Sequence, residues 1–229
     1  MKFLEEFLGT KKYKLLKLDY DSYWSTRRML SKSNLKIKRR DILIKEQIYP
    51  GASVLDIGCG DGRLIYFLQT TNKNECKGLD VSKRAIFLAK KSGVRAARVK
   101  NLVEALKHEG KYDYVILSEF IEHISDPESV LKEVSKIFKK AVIITIPNIG
   151  HLSCRLRLLT GRFPECWKWH PGEHVRFWTK VDFEKWIVRS DNNFMGLRVR
   201  KFINIEGTPI LGDLIPSLFS YNLLALITK

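Results

Sequence analysis

The feature that most constrains this chain is an apolar run that ends in a turn with three alternating glycines, Val54-Leu55-Asp56-Ile57-Gly58-Cys59-Gly60-Asp61-Gly62. A helical pattern follows at once. Glycine adopts positive φ readily and lets a ligand approach the main chain closely. At the carboxyl end of a first parallel strand, such a turn is where an α/β sheet binds a nucleotide-like cofactor. The segment therefore predicts a cofactor site on a parallel sheet.

The spacing of the glycines excludes two common classes of site. A dinucleotide fingerprint, G-x-G-x-x-G, would need a third glycine at position 63, which is Arg63. A phosphate-binding P-loop needs a lysine followed by Ser or Thr, and the turn is followed by neither. Asp80 ends a second strand-like run about 20 residues after the glycines, which is the position of a ribose-binding carboxylate. A carboxylate can accept two hydrogen bonds from a cis-diol.

Strand-like and helix-like segments alternate along the chain. Strands are predicted at about 53–57, 76–80, 97–99, 112–117, 141–146, 197–205 and 222–228, and helices at about 61–70, 83–92 and 180–189. Ser82 is a suitable N-cap residue, and Asp126-Pro127-Glu128 is a typical start of a further helix. The alternation predicts an α/β fold with a doubly wound, mostly parallel sheet.

The chain of 229 residues has a net charge of +16, which favours an anionic partner: nucleic acid, a membrane surface, or a phosphorylated or carboxylated substrate. A solvated, lysine-rich surface accounts for the same charge equally well. Basic residues crowd positions 1 to about 50. We predict that residues 1–50 form a basic helical extension that covers the site. Residues 51–229 would form the main domain, with an insert at about 147–178 that binds the acceptor.

The cysteine pattern and the apolar runs predict a cytoplasmic protein. No apolar run approaches the ~20 residues needed to span a bilayer, and the first residues lack the core of a signal peptide. The four cysteines, Cys59, Cys76, Cys154 and Cys166, contain no C-x-x-C pair. They are interpreted as free thiols in a reducing compartment.

The glycine turn and the second strand, Gly78-Leu79-Asp80-Val81-Ser82, together resemble the class I S-adenosylmethionine (SAM) methyltransferases. The resemblance implies a Rossmann-like, seven-stranded sheet with an antiparallel last strand. It also implies SAM as the cofactor and S-adenosylhomocysteine as its product. The implied cofactor contacts are Asp56, Gly58, Cys59, Gly60, Gly62, Asp80, Val81, Asn101, Leu102 and Ser118. A glycine-rich turn that holds no ligand is the structural alternative.

The resemblance also implies which part of the cofactor each residue contacts. Asp56 and the glycine turn are expected along the methionine part, Asp80 at the ribose and Val81 beside the adenine. Asn101 stands where the family often has an acid near the adenine amine, which is a departure from the pattern.

A second motif, Ser118-Glu119-Phe120-Ile121-Glu122-His123, follows the fourth predicted strand. In the resembled family this edge borders the methyl group, and Glu-His followed by Asp-Pro is typical of small-molecule methyltransferases. Helix capping and packing explain Glu122 and His123 equally well. A divalent metal ion is a lesser alternative, since two carboxylates and an imidazole suit one; the prediction includes no metal site.

The same edge argues against nucleic acid as a partner. Nucleic-acid enzymes of this family that methylate amino groups carry Asn/Asp-Pro-Pro-aromatic here, and cytosine-C5 enzymes need a Pro-Cys dipeptide. The chain has neither pattern. A small-molecule acceptor is therefore predicted.

A third motif, Ile146-Pro147-Asn148-Ile149-Gly150-His151 through Gly161-Arg162-Phe163-Pro164, resembles the MetW-like branch of the family. The resemblance continues from Glu173-His174 to Asp182-Phe183 and covers roughly residues 50–190. The tryptophan-rich stretch 167–172 and the basic N-terminus depart from that branch.

Candidate catalytic residues come from the second and third motifs. A hydroxyl acceptor needs a general base, and histidine suits that role near neutral pH. His151 and His174 are the candidate bases, and Glu119 is a third catalytic candidate. A phosphate or carboxylate on the acceptor could be bound by Arg155, Arg157, Arg162 and Arg176, although two of these equally suit the wet face of a helix.

We therefore predict a SAM-dependent methyltransferase that acts on a small, polar acceptor, anionic if the arginines bind it, with O-methylation favoured. The first alternative is a MetW-like SAM-binding partner or regulator of homoserine O-acyltransferase in methionine biosynthesis. The second is a membrane-surface methyltransferase of lipid or glycan precursors. In that case the basic N-terminus and the apolar segment 210–219 would contact anionic lipid.

Overall fold

The computed structural model describes residues 20–25, 35–164, 174–189 and 196–229. The strands are β1 (Ser53–Ile57), β2 (Glu75–Asp80), β3 (Ala96–Arg98), β4 (Tyr112–Ser118), β5 (Phe138–Pro147), β6 (Arg198–Gly207) and β7 (Ser220–Thr228). The helices are α1 (Tyr20–Ser25), α2 (Arg39–Glu46), α3 (Arg63–Asn72), α4 (Lys83–Lys91), α5 (Leu102–Lys107), α6 (Pro127–Ile137), α7 (Leu152–Leu159), α8 (Lys180–Arg189), α9 (Leu211–Leu214) and α10 (Pro216–Phe219). A 3₁₀ helix spans Ile121–His123. Much of the predicted N-terminal extension and the tryptophan-rich stretch 167–172 lie outside the described residues.

The seven strands form one sheet in the order β3-β2-β1-β4-β5-β7-β6. Only β7 runs against its neighbours; it pairs antiparallel with both β5 and β6. The predicted fold class, a doubly wound and mostly parallel sheet with an antiparallel last strand, is confirmed. The strand order reverses between β1 and β4, and ligands of such sheets bind outside the carboxyl ends of the strands at this switch point.

Alternate residues along the strands bury two separate cores, because successive side chains of a strand point to opposite faces. On one face, Leu55 and Ile57 of β1 pack in a cluster with α6 and with Phe183 of α8. On the other face, Val54 packs in a cluster with Ile44 of α2 and with residues of α3 and α4. Asp56 has the parity of Val54, so it belongs to the face that α2 and α3 cover.

Two helix starts follow the capping chemistry of the sequence. The Ser82 hydroxyl accepts a hydrogen bond from the Ala85 N–H at 3.0 Å and caps α4. Asp126 accepts from the Ser129 N–H at 3.0 Å and caps α6, whose first residue is Pro127. Both signals are local, so the sequence alone predicts these two boundaries.

Other boundaries depend on tertiary contacts and differ from the predictions. β5 begins three residues earlier than predicted because Phe138 pairs with Tyr112 at the start of β4. The segment between β6 and β7, for which no helix or strand was predicted, forms the one-turn helices α9 and α10. None of the helices within the described ranges is long and apolar enough to cross a bilayer.

Gly62 offers a test of how the turn after β1 packs against α4. It has φ +78°, and a Cβ there would lie 3.0 Å from Val94 Cγ1 and 3.1 Å from Ala89 Cβ. Gly62→Ala should lower the free energy of unfolding by about 2–4 kcal/mol, from the left-handed backbone and from overpacking. Urea unfolding would measure the loss.

Gly93 supplies the matched control for this substitution. It has φ +80°, but nothing lies within 4 Å of an added Cβ. Gly93→Ala should therefore lose only the backbone part, about 1–2 kcal/mol. Equal losses in the two variants would contradict the importance of the packing contact.

Candidate cofactor and acceptor site

Main-chain hydrogen bonds to the end of β2 fix the conformation of the glycine turn. Gly58, Gly60 and Gly62 have φ of +76°, +56° and +78°, all in the left-handed region. The N–H groups of Gly58 and Cys59 donate to the Leu79 carbonyl at 2.7 and 3.1 Å. The turn therefore cannot accept ordinary side chains at the three glycines without strain.

Asp80 completes this anchor with its side chain. One carboxylate oxygen accepts from the Gly60 N–H at 2.9 Å, and the other accepts from the Ser82 N–H at 2.8 Å. Burial raises the pKa of Asp80, although these backbone N–H groups oppose the shift. Each carboxylate oxygen can accept more than one hydrogen bond. Asp80 can therefore hold the turn and still accept hydroxyl groups of a ligand.

Asp56 is a buried carboxyl beneath the turn, with 3% of its surface exposed. Burial, and then the charge of Asp80, raise its pKa to about 8. The charges of Arg40 and Arg63 oppose the shift, and that of Asp41 adds to it. At neutral pH the protonated form predominates, so Asp56 can donate a hydrogen bond as well as accept one.

Helix α1 lies against the glycine turn and the start of α4. The Asp21 carboxylate accepts from the Ser82 hydroxyl at 2.5 Å and from the Arg84 N–H at 3.0 Å. These hydrogen bonds lower the pKa of Asp21. A Cβ on Gly60 would lie 2.5 Å from the Trp24 ring, so the indole rests directly on the turn.

The end of β4 carries Ser118 and Glu119 beside Thr145 of β5. The Thr145 hydroxyl lies 3.3 Å from the Ser118 hydroxyl and accepts from the Glu119 N–H at 2.8 Å. Glu119 has φ +51°, which is unusual for a residue with a side chain. Its carboxylate forms an ion pair of 3.0 Å with Arg40. Burial would raise the pKa of Glu119, but the Arg40 charge and hydrogen bond outweigh it and lower the pKa.

An open cavity of about 350 Å³ lies beside Glu119 at the carboxyl edge of the sheet. Its lining residues come from the start of α2, the loop after β4, and the facing ends of β6 and β7: Lys38, Arg39, Arg40, Glu119, Ile205, Glu206, Gly207 and Asn222. Buried Arg40 Nε has no hydrogen-bond acceptor within the described part of the chain. The cavity thus has cations on one wall, and one of them, Arg40, is paired with Glu119 and lies 3.9 Å from an Asp41 oxygen.

The two candidate histidines lie in different surroundings. His151 caps α7, with its Nδ1 3.2 Å from the Ser153 N–H, and its ring meets Tyr221. Burial lowers the pKa of His151. The His174 ring meets His123 edge-on at 4.7 Å, and burial together with the His123 charge lowers the pKa of His174 to about 4. Of the three catalytic candidates, only Glu119 lines the cavity.

The remaining predicted contacts lie around the end of β2 and at α5. Val81 is 44% exposed and follows Asp80 directly. The Asn101 side chain accepts from the Glu104 N–H at 3.1 Å and caps α5, a short helix that the sequence analysis did not predict. Leu102 packs on the main core. The side-chain oxygen of Asn101 thus has a structural role, and the predicted contact of Asn101 with the adenine stays a prediction.

Three residues at the site were missed from the sequence: Asp21, Arg40 and Thr145. Arg40 is hidden in a run of basic residues, and nothing in the local pattern separates it from its neighbours. Thr145 carried a usable signal, as it is the one hydroxyl residue in the apolar stretch 141–146. Of the arginines considered as clamps, Arg176 instead donates to the Ser125 carbonyl at 2.6 Å and faces Glu128 at 3.4 Å.

Sequence comparison decides the family. A family model described as "Methionine biosynthesis protein MetW" matches residues 39–220. The chain belongs to the MetW family. The match includes the third motif, from Ile146 through Pro164 and on to Asp182-Phe183, whose residues resembled the MetW-like branch.

Curated relatives match a shorter part of the chain. A ubiquinone biosynthesis O-methyltransferase of Escherichia coli O7:K1 is 36% identical over 95 residues, which are 39% of this chain and 39% of the relative. A ubiquinone biosynthesis O-methyltransferase from Shigella boydii serotype 18 gives the same identity and coverage. The chain thus spans about 39% of the length of the curated relatives it matches.

Solved structures share the fold. A TehB-like SAM-dependent methyltransferase from Corynebacterium glutamicum has a TM-score of 0.56 at 16% identity, with 86% of this chain and 90% of that chain covered. A SAM-dependent methyltransferase from Archaeoglobus fulgidus has a TM-score of 0.56 at 18% identity, with coverage of 82% and 94%. At these identities the likeness shows the fold alone, and that fold is the class I methyltransferase fold.

Asp56 predicts a specific pH dependence of stability. The folded chain holds its proton up to about pH 8, whereas the unfolded chain loses it near pH 4. Between these values the unfolded state binds fewer protons, so the contribution of Asp56 to stability falls as pH rises. Asp56→Asn should gain on the wild type by up to roughly 1.4 kcal/mol per pH unit in this window. Urea unfolding at pH 5, 6, 7 and 8 would measure the gain.

Asp113→Asn is the control, because hydrogen bonds from Ser53 lower the pKa of Asp113. The contribution of the Asp113 carboxylate to stability is fully present above the pKa that the group has in the unfolded chain, and it is lost only as pH falls below that value. The difference between this variant and the wild type should stay constant from pH 5 to 8. A constant difference for Asp56→Asn as well would refute the raised pKa.

Proposed function

We propose that this MetW-family protein binds SAM and transfers its methyl group to a small, polar acceptor, with a hydroxyl oxygen as the favoured site. The observation that carries the proposal is the left-handed glycine turn anchored to Asp80 at the switch point of the sheet. The glycines leave no side chain between the main chain of the turn and its neighbours, and the carboxylate keeps acceptor capacity for a ribose. The names of the structural neighbours support SAM as the cofactor.

In this proposal the cofactor extends along the carboxyl edge from β2 to β4. Asp80 would accept the ribose hydroxyls, and the exposed Val81 side chain would contact the adenine. The glycine turn and Asp56 would hold the methionine part, and Ser118 would border the methyl group. Trp24, which rests on Gly60, would close the turn side of the pocket.

The cavity beside Glu119 is the proposed acceptor pocket. Lys38, Arg39 and Arg40 line it, so one wall is basic. A carboxylate or phosphate on the acceptor would form charge-assisted hydrogen bonds with these cations. The relatives named ubiquinone biosynthesis O-methyltransferases support oxygen as the methylated atom.

The methyl transfer itself is an in-line displacement, so alignment is its main requirement. The acceptor oxygen forms a bond to the methyl carbon while the carbon–sulfur bond breaks, and its electron pair stays on sulfur. The hydroxyl proton must leave to a base. His174 is neutral at pH 7, but its pKa, lowered to about 4, makes it a weak base, and it does not line the cavity. Glu119 is ionised and borders the cavity, but its lowered pKa makes it a weak base.

The name of the family favours a second candidate function. A methionine biosynthesis protein could bind SAM and act through a partner such as homoserine O-acyltransferase, as a regulator. A membrane-surface enzyme is the third candidate, supported by exposed apolar side chains around α9: Ile210, Leu211, Leu214 and Ile215. Labelled SAM with mixed small-molecule acceptors separates the first two. Label transfer supports the enzyme, and tight binding without transfer supports the regulator.

The cofactor assignment is tested by calorimetric titration with SAM and S-adenosylhomocysteine. Asp80→Asn removes a charged acceptor, so it should weaken SAM binding about tenfold or more. Asp113→Asn removes a carboxylate that accepts hydrogen bonds from Ser53 at the opposite edge of the sheet and should leave the affinity unchanged. Absence of SAM binding to the folded wild type would refute the proposal.

A further inference from the structure

Three potential metal ligands converge behind the loop that follows β4. Glu122 and His123 lie on the 3₁₀ helix, and His174 lies on the segment that leads to α8. One ligand atom from each residue lies within 4.8 Å of the others. Glu122 is 1% exposed. His174 is distant from Glu122 and His123 in the sequence, so the fold has to bring the cluster together.

Main-chain hydrogen bonds build this convergence. The N–H groups of Val175 and Arg176 both donate to the Glu122 carbonyl, at 2.9 and 3.2 Å. The Arg176 guanidinium donates to the Ser125 carbonyl at 2.6 Å. The segment that carries His174 is thus fixed to the 3₁₀ helix without using the side chains of Glu122 or His174.

Two buried atoms of the cluster have no hydrogen-bond partner in the described part of the chain. They are Oε2 of Glu122 and Nδ1 of His174. Buried polar atoms in folded proteins are nearly always satisfied, because an unsatisfied one costs about 1–3 kcal/mol. Two unsatisfied atoms on residues of one cluster indicate a missing component that both residues could bind.

We propose that Glu122, His123 and His174 bind one divalent first-row transition-metal ion. Two imidazoles and one carboxylate suit zinc, manganese, iron or cobalt, whereas magnesium and calcium prefer all-oxygen sites. Bonds of about 2.0–2.2 Å to a common ion would bring the ligand atoms closer than their present separation. Small side-chain rotations suffice, because the main chain already holds the residues together.

Three protein ligands leave coordination positions open, as in catalytic metal sites. The site lies on the same loop as Glu119, which lines the cavity. This use of the ion rests on the function proposed above: an acceptor oxygen bound in an open position would lose its proton to solvent more readily. The negative oxygen would then meet the methyl group with its charge balanced by the ion.

Metal binding is tested on the full chain after removal of adventitious metal with a chelator. Titration with Zn²⁺, Mn²⁺ and Co²⁺ should give binding of about one ion per chain, with Mg²⁺ much weaker. Glu122→Gln and His174→Gln should each weaken binding on the order of 100-fold, since each removes a direct ligand. His108→Gln, which alters an exposed histidine paired with Glu104, should leave binding unchanged.

X-ray absorption of the Zn²⁺-loaded wild type covers the case in which a variant fails to fold. The spectrum should show scattering from two imidazole rings. Absence of stoichiometric binding, binding that survives both ligand substitutions, or a spectrum without imidazole would overturn the proposal. SAM titration of the same metal-free and metal-loaded samples reports on the cofactor site separately, so failure of either proposal can be recognised without the other.

Discussion

The arrangement of the whole carboxyl edge depends on how the glycine turn is anchored to β2. The Leu79 carbonyl and the Asp80 carboxylate together accept hydrogen bonds from three N–H groups of the turn. These bonds hold the turn in a shape in which Gly58, Gly60 and Gly62 adopt left-handed conformations. Added Cβ atoms on Gly58, Gly60 and Gly62 would meet Phe120, Trp24 and Val94 respectively. Each glycine therefore packs against a different part of the chain: the loop after β4, helix α1, and the turn before β3, in that order.

The loop after β4 connects the glycine turn to the rest of the site. Phe120 packs on the turn through Gly58, and the preceding residue, Glu119, takes a positive φ to direct its carboxylate toward Arg40. Glu122 and His123 follow on the 3₁₀ helix and meet His174. Five consecutive residues thus connect the proposed cofactor pocket, acceptor cavity and metal site, so a shift of the loop would alter all three together.

The sequence predicted what depends on local chemistry and missed what depends on distant contacts. The glycine turn, Asp80 and the caps Ser82 and Asp126 are readable because each needs a particular residue type at a particular spacing. The role of Arg40 is not readable, since only the folded chain brings α2 against Glu119. The convergence of His174 with Glu122 likewise arises from main-chain hydrogen bonds across the fold, which leave no pattern in the sequence.

Electrostatics link the site to its proposed ligands. The chain carries a net charge of +16, yet Asp56, Asp80, Glu119 and Glu122 gather at one edge. Burial raises the pKa of Glu122, and the nearby Glu119 charge raises it further, so Glu122, like Asp56, favours its protonated form unless a cation lies beside it. A sulfonium cofactor and a divalent cation would both supply positive charge there. Methyl transfer removes the sulfonium charge, so the same acids would hold the substrate form of the cofactor more strongly than its neutral thioether product.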